Sequence, residues 1–290
     1  MGNALARSLA AAGYPIAAVT SRTLQSARSL ADVIPGCRPV ATAQAVADLS
    51  DLVFVTTRDD AIAEVAGSAR WRPGVSLVHT NGAKSLYVLQ AAAAQGASTA
   101  SLHPLQTFAT IEEASEQIRG CVFGMEAEGE LRQLLLQIVS DLEGTAIELR
   151  PEDKALYHAA AVLISNYTVT LTKLATVLWL RFGRERSQAL RALLPLLQGT
   201  LRNLESNGLP TALTGPVSRG DVASVERHLA ALEEAAPETL AAYRELALLT
   251  IPVALAKGGL TDEDAGALRR LLSQDQETRT SLTSEGARSN

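Results

Sequence analysis

The chain has 290 residues, 47% of them hydrophobic, and is long enough to form two domains of ordinary size with buried cores. Its net charge is −5 and its pI is near 5.5, with basic residues scattered along the chain, which argues against a nucleic-acid-binding surface. Two distant cysteines, Cys37 and Cys121, favour a reducing compartment over a disulfide framework. The sequence has no uninterrupted apolar stretch of about eighteen residues and no signal-peptide pattern. We therefore expect a cytoplasmic protein that acts on a small molecule, without a nucleic-acid or membrane partner and without a metal site.

The first residues are typical of the second half of a dinucleotide-binding βαβ unit. A helical segment at 1–9 precedes a short apolar strand that ends in Ser21-Arg22, and Gly2 stands where the third glycine of G-x-G-x-x-G would be. The first strand and the first two glycines have no counterpart, so an ordinary N-terminal helix explains this segment by itself. Because the missing strand lies centrally in a doubly wound sheet, its absence predicts two unpaired strand edges. We expect Met1 to be an internal methionine of a longer natural chain.

Short β-branched runs alternate with alanine-rich amphipathic segments up to about residue 150. The runs predict strands at 16–20, 52–57, 75–80, 99–102, 121–125 and 146–149. Helical patterns lie between them at 24–33, 61–68 and 86–95. Apolar strands separated by helices are typical of a parallel sheet covered on both faces. Residues 1–150 therefore predict an α/β domain of the Rossmann type, with a doubly wound parallel sheet whose first strand is absent.

The alternation stops at Pro151, which fits the first turn of a helix. Helices are predicted after it at 154–181, 187–205, 221–235, 237–257 and 261–273. Residues 151–273 therefore predict an all-helical domain. Residues 274–290 are rich in Ser, Thr, Glu and Arg, which predicts a disordered tail.

Polar residues at the ends of the predicted strands indicate a cofactor site. An NAD-preferring site places Asp or Glu at the end of the second strand of the unit, where this chain has Ser21 and Arg22. A hydroxyl and a guanidinium suit the 2′-phosphate of NADP, although Arg22 in a solvated helix start is an equal alternative. Ligands of open α/β sheets bind at the carboxyl ends of the strands. The predicted cofactor-binding residues are Gly2, Asn3, Ser21, Arg22, Thr56, Thr57, Thr80, Asn81 and Gly82.

Candidates for chemistry lie at the next strand end and in the first helix of the second domain. Pro104 holds His103 extended at the same edge, although a structural histidine is the commoner outcome. With helical spacing, Lys154, His158 and Ser165 lie on one side of an otherwise apolar helix. Such polar side chains need hydrogen-bond partners, which a ligand crevice between the domains or a non-catalytic network could supply. The predicted catalytic residues are His158, Asn166, His103 and Lys154, and the predicted substrate-binding residues are Ser165 and, on a Gly-Pro turn, Arg219.

Together these segments resemble a bacterial family of Rossmann-like proteins with a helical C-terminal domain of unknown function, DUF2520. The resemblance covers about residues 2–272 and rests on VTSRT, HTNGA, HPLQTF, YHAAAVLISNY, LLPLL with the later Asn203, and LTGPVSRGD followed by HLAAL. The N-terminal half is similar to the deazaflavin-dependent NADP reductases. More distantly, the chain resembles the 6-phosphogluconate and hydroxyisobutyrate dehydrogenases, pyrroline-5-carboxylate reductase and ketopantoate reductase.

The resemblance implies NADP as cofactor, hydride transfer, and a helical domain that builds a homodimer. In those relatives a catalytic lysine stands four residues before an asparagine. If Asn166 is that asparagine, Val162 occupies the place of the lysine, and Lys154 and His158 are the nearest substitutes on the helix. The mechanism of the relatives therefore does not transfer directly to this chain.

Three functional hypotheses follow. The first is an NADP-dependent oxidoreductase in which the helix start at Gly2-Asn3 meets the pyrophosphate, His158 exchanges the substrate proton and Asn166 orients the substrate. The second is a non-catalytic NADP-binding sensor or assembly module. In the third, the helical half is a dimerisation scaffold. The polar stripe of Lys154, His158 and Ser165 argues against it, because polar groups are costly to bury without a purpose.

Overall fold

A computed structural model of the chain describes residues 1–108 and 116–273. The described chain contains two compact units, Met1–Asn166 and Tyr167–Asn290. The first unit therefore extends past the predicted boundary at residue 150 and takes in one more helix. The tail predicted at 274–290 lies outside the described residues.

The first unit alternates strands and helices. In chain order its elements are α1 (Gly2–Ala11), β1 (Ala18–Val19), α2 (Leu24–Ala31), β2 (Arg38–Pro39), α3 (Ala43–Leu49), β3 (Leu52–Val55), α4 (Ile62–Gly67), β4 (Ser76–His79), α5 (Gln90–Ala93), β5 (Ser98–Pro104), β6 (Val122–Glu126), α6 (Gly129–Asp141), β7 (Thr145–Glu148) and α7 (Lys154–Ile164). Single 3-10 turns lie at Asp59–Ala61, Leu86–Leu89 and Pro151–Asp153. Threonine side chains cap two of the helices, since Thr23 accepts from Ser26 N in α2 and Thr42 accepts from Ala45 N in α3. The Rossmann-type α/β fold predicted from the alternation is confirmed.

The strands form two sheets. One contains β1 and β2, and the other has the order β3-β4-β5-β6-β7. All neighbouring strands run parallel except β6, which pairs antiparallel with β5, with His103 opposite Gly124. The predicted all-parallel sheet is therefore wrong at β6, because hydrophobic periodicity locates a strand but does not give its direction. Strand β2 was not predicted, since it has only two residues, both exposed, and one is a proline.

Strands β1 and β3 are each the edge of their own sheet. Ala18 of β1 and Leu52 and Phe54 of β3 are only half-buried, whereas Val53 and Val55 are buried. Side chains connect the two sheets, because Ala18 packs against the cluster that contains Val53 and Val55. Helix α1 packs through a second cluster with residues of the larger sheet and with Ile16, which precedes β1. Two strand edges without a backbone partner were predicted, and the described residues show them.

The second unit is helical, as predicted. Its helices are α8 (Asn166–Arg181, which starts at the last residue of the first unit), α9 (Arg186–Asn207), α10 (Val222–Ala235), α11 (Pro237–Lys257) and α12 (262–273), with a 3-10 turn at Val217–Arg219. The helix predicted at 154–181 is interrupted at Ser165, between α7 and α8. The core of the second unit joins α10, α11 and α12 through buried residues that include Val225, Ile251 and Leu268.

Several helices expose large apolar side chains. Val169 in α8, Leu196 in α9 and Leu249 in α11 are each between 68% and 70% exposed. Within the described residues, the runs Pro151–Arg181 and Pro237–Lys257 are long and apolar enough to cross a membrane by length and composition alone. An interface helix of a water-soluble protein passes the same test, so this finding by itself assigns neither environment.

Candidate functional site

The carboxyl end of β3 lies against the start of α1. A Cβ atom on Gly2 would come within 2.5 Å of Thr56 Oγ1 and 3.3 Å of Thr56 Cβ. Only glycine fits this contact without a shift of its neighbour. The helix N-terminus, with its unpaired backbone N–H groups, therefore lies at the strand edge where the sequence predicted a cofactor.

The turn after β4 is fixed by hydrogen bonds at both ends. Asn81 Oδ1 accepts from Ala83 N at 2.9 Å and from Lys84 N at 2.6 Å. His79 Nδ1 accepts from Asn81 N at 3.2 Å, and His79 Nε2 lies 3.3 Å from the carbonyl oxygen of Ser85. Because that carbonyl can only accept, Nε2 carries the proton and the ring is neutral. Burial, and then the charge of Lys154, lowers the pKa of His79 to about 4.

A buried ion pair, Glu126 with Lys154, holds the segment that follows this turn. Glu126 Oε1 accepts from Ser85 Oγ at 2.6 Å, and Oε2 accepts from Leu86 N at 3.0 Å. Lys154 Nζ lies 3.6 Å from Glu126 Oε2 and donates to Ser101 Oγ. Burial lowers the pKa of Lys154, and the charge of Glu126 opposes that shift. With 1% of its surface exposed, Lys154 offers almost nothing for a substrate to contact, which differs from the catalytic role predicted for it.

Two predicted residues, His103 and His158, meet around Gly82. The ring centroids lie 6.2 Å apart, and a Cβ on Gly82 would come within 2.9 Å of His103 Cε1 and of His158 Cδ2. The phenol oxygen of Tyr157 lies 2.9 Å from His103 Nδ1. Burial, and then the charge of His158, lowers the pKa of His103 to about 4. The cluster therefore holds two imidazoles beside a backbone that has room for no side chain.

The other predicted site residues are placed as follows. Ser21 and Arg22 are exposed just after β1, Asn3 is half-buried in the first turn of α1, and Thr57 is exposed. Thr80 is buried. Ser165 lies at the break between α7 and α8, and Asn166 is exposed at the start of α8. Arg219 is exposed on the 3-10 turn of the second unit. Their ligand-binding roles stay predictions.

Four residues that build the site were not among the predicted candidates: His79, Ser101, Glu126 and Tyr157. A carboxylate at the end of a buried apolar strand, as in Glu126, is the sequence signal that could have indicated a buried ion pair. His79 ends the buried strand β4 and carries the same kind of signal, whereas Ser101 and Tyr157 carry none. Within the described part of the chain, no group of three or more His, Cys, Asp or Glu side chains is placed to hold a metal ion.

Two family profiles match the chain. The profile described as NADP oxidoreductase, coenzyme F420-dependent, matches residues 1–81, and the domain of unknown function DUF2520 matches residues 121–250. The chain carries a DUF2520 domain behind an oxidoreductase-type Rossmann segment. This result confirms the resemblance drawn from the sequence motifs. No curated protein matches this chain by sequence.

Solved structures share the fold over most of their length. BF3122 from Bacteroides fragilis, which has the provisional name of an NADP oxidoreductase, is 25% identical with a TM-score of 0.68, over 86% of this chain and 93% of its own. TM1727 from Thermotoga maritima is 28% identical with a TM-score of 0.64, over 82% of this chain and 90% of its own. A reductive aminase from Aspergillus terreus, solved with NADPH and ethyl-5-oxohexanoate, is 20% identical with a TM-score of 0.63, over 91% of this chain and 94% of its own. The structures similar to this chain thus include one provisionally named as an NADP oxidoreductase and one reductive aminase solved with NADPH.

Proposed function

We propose that this DUF2520 protein is an NADP-dependent oxidoreductase that transfers hydride between NADP(H) and a small-molecule substrate. The observation that carries the proposal is the pair of glycine contacts at the carboxyl edge of the sheet. Gly2 brings the start of α1 against Thr56, and Gly82 brings backbone against His103 and His158. At both places the lack of a side chain lets the main chain pack directly against groups at this edge, and the start of α1 is the kind of helix N-terminus that binds a pyrophosphate. The oxidoreductase profile over residues 1–81 and the NADPH-bound reductive aminase of the same fold support it.

The residues present fit the parts of the dinucleotide. Gly2 and Asn3 at the start of α1 would meet the pyrophosphate, and exposed Ser21 and Arg22 would meet the 2′-phosphate. Further contacts would come from the strand ends and from the turn after β4, namely Thr56, Thr57, Thr80, Asn81 and Gly82. When bound, the nicotinamide supplies or accepts the hydride.

The protein's own chemistry would be proton transfer and orientation. His158 lies beside Gly82 at the rim and would exchange a proton with the substrate heteroatom, and Asn166 would orient that atom. Ser165 and Arg219 would contact the remainder of the substrate. Lys154 would act as a positioning residue through Glu126 and the turn after β4.

One observation favours the alternative of a non-catalytic NADP-binding module. Lys154, the nearest substitute for the lysine of the relatives, is buried in an ion pair. That alternative predicts NADPH binding without oxidation of NADPH in the presence of any carbonyl or imine compound. Turnover with one such compound contradicts it.

Thermal unfolding in the presence of NADPH or NADH tests the proposed cofactor. We expect NADPH to raise the Tm more than NADH does, because NADH lacks the 2′-phosphate with which the Arg22 guanidinium would pair. Arg22→Ala should abolish that difference, whereas Arg28→Ala, a charge of the same sign on α2, should preserve it. If neither nucleotide shifts the Tm of the folded protein, the proposed function is contradicted.

We also propose that the DUF2520 protein is a cytoplasmic homodimer formed through the helical unit. Helices α8, α9 and α11 each expose large apolar side chains, and apolar surface of this kind is typical of an interface when the side chains adjoin one another. A second copy of the chain fits these apolar helix surfaces better than a lipid bilayer does, because the run Pro151–Arg181 includes the ionisable residues Lys154, His158 and Lys173. Sedimentation of the purified protein without detergent tests this, and a monomer at micromolar concentration contradicts it.

A further inference from the structure

The hydrogen bond between Tyr157 and His103 determines which ring nitrogen of His103 carries the proton. The phenol oxygen lies 2.9 Å from Nδ1, and the two rings meet edge to face with centroids 5.6 Å apart. Either atom could donate in such a contact. The surroundings of the phenol decide between the two directions.

The phenol of Tyr157 is enclosed against the backbone of β6. A Cβ on Gly124 would lie 2.7 Å from Tyr157 Cζ and 2.8 Å from its oxygen, so the tyrosine occupies the space where a side chain at 124 would be. Burial raises the pKa of Tyr157 to about 12, so the hydroxyl keeps its proton. The phenol oxygen also accepts from the backbone N–H of Gly124, which can only donate, so His103 Nδ1 is the contact that can accept the phenol hydrogen. If Nδ1 donated instead, the phenol hydrogen would be left without an acceptor, which is unfavourable for a buried hydroxyl.

The second nitrogen of His103 faces the candidate site. Nε2 lies 3.0 Å from the position that a Cβ on Gly82 would take. Within the described residues, Nε2 has no hydrogen-bond partner and is not among the fully buried unpaired atoms, so it is the nitrogen of this ring that is left to bind a ligand. The ring itself cannot turn to exchange its nitrogens without breaking the bond to Tyr157.

We propose that Tyr157 is a positioning residue that holds His103 as the neutral Nε2–H tautomer, so that His103 donates a hydrogen bond to a carbonyl oxygen at the site. The assignment of a carbonyl-bearing ligand rests on the proposed function; the assignment of the tautomer does not. In this arrangement His103 polarises its ligand and neither removes nor delivers a proton. The proton-exchanging imidazole is then His158.

Nitrogen-15 NMR of the histidine side chains tests the tautomer directly, because the full chain has four histidines. His103→Gln and His158→Gln variants identify their signals. At neutral pH we expect His103 to show a protonated Nε2 and an unprotonated Nδ1. A protonated Nδ1 overturns the proposal, whether or not the protein binds NADPH.

The Tyr157→Phe variant tests the positioning role. It should give His103 a mixture of the two tautomers and lower kcat on the order of tenfold for a carbonyl substrate, with the KM for NADPH unchanged. A matched control exists in the second unit, where Tyr243 OH lies 2.8 Å from His228 Nδ1 and the ring centroids are 5.9 Å apart. Tyr243→Phe should change only the His228 signals. An unchanged kcat in a Tyr157→Phe enzyme that has lost the single tautomer overturns the role for His103, and absence of turnover in the unmodified protein contradicts the proposed function instead.

Discussion

Gly82 lies so close to His103 that a single added carbon atom would touch its ring, at 2.9 Å from Cε1 and 3.0 Å from Nε2. The same added atom would lie 2.9 Å from Cδ2 of His158. Glycine at this position therefore sets the distance between the turn after β4 and the two imidazoles. This contact relates the sequence motif at 81–82 to the proposed chemistry.

Gly82→Ala is expected to separate the two histidine rings. Overpacking of this kind costs about 1–3 kcal/mol of unfolding free energy, and both rings would shift away from a bound ligand. We expect weaker NADPH binding and lower turnover. Urea unfolding and a fluorescence titration with NADPH measure the two effects. Gly67→Ala in α4 is a suitable control, because its Cβ would meet only Ala91 Cβ at 4.0 Å. Equal NADPH affinity in both variants would contradict the expectation.

Stability should fall in acid because of His79. Its pKa is about 4 in the folded protein and 6.5 in the unfolded chain, so the unfolded chain binds more protons between these values. Its contribution is complete above pH 6.5 and is lost as the pH falls to 4, by up to about 1.4 kcal/mol per pH unit. Glutamine keeps one donor and one acceptor but does not titrate. Urea unfolding between pH 4 and 6.5 should therefore show a shallower pH dependence in His79→Gln, and parallel curves for the two proteins would exclude His79 as the cause.

The ion pair of Glu126 and Lys154 should behave as a unit. Lys154→Met alone leaves a buried carboxylate, and we expect it to lower the free energy of unfolding by about 3–5 kcal/mol. Replacing both, as Glu126→Gln with Lys154→Met, should restore most of that loss. Chemical denaturation of the two single variants and the double variant gives the coupling energy. If the loss of unfolding free energy in the double variant equals the sum of the losses in the two single variants, the residues do not form the pair described here. NMR titration should also show a higher pKa for His79 in Lys154→Met, since the charge of Lys154 lowers it.

Self-association should depend on the apolar surface of the helical unit. Leu196→Glu in α9 places a charge on a residue that is 68% exposed in the single chain. We expect a homodimer to dissociate in this variant, with the Kd raised at least tenfold in equilibrium sedimentation. Val33→Asp, at a 56% exposed position near the end of α2, should leave the Kd unchanged. If the two variants behave alike, the surface of α9 is not the interface.

The sequence predicted the element order of the first unit well because its strands are apolar runs of the expected period. Strand β3 and strand β4 were located within two residues at each end. The direction of β6 and the existence of β2 were not predictable, since neither a reversed strand nor a two-residue strand changes the local pattern. The break at Ser165 was also missed, because the apolar residues on either side continue a helical pattern.

The candidate site was predicted only in part. His103, His158 and Gly82 meet, although 55 residues separate His103 from His158 in sequence. The contact of Lys154 with Glu126 was not predictable, because a lysine that faces a ligand and a lysine that faces a buried carboxylate have the same helical position. Its partner Glu126 belongs to a strand that pairs antiparallel with β5, and only the fold brings them together.

The division of the sheet affects how a long ligand would be held. Backbone hydrogen bonds keep adjacent strands about 4.8 Å apart, whereas side-chain packing allows neighbouring layers to slide. Ser21 and Arg22 follow a strand of one sheet, and Thr56 and Thr80 follow strands of the other. A dinucleotide that reached both ends would connect two sheets that no described strand pairing links. Part of its binding free energy would then offset the cost of fixing the spacing between the two sheets. The domain with bound cofactor would therefore be more rigid than the domain without it.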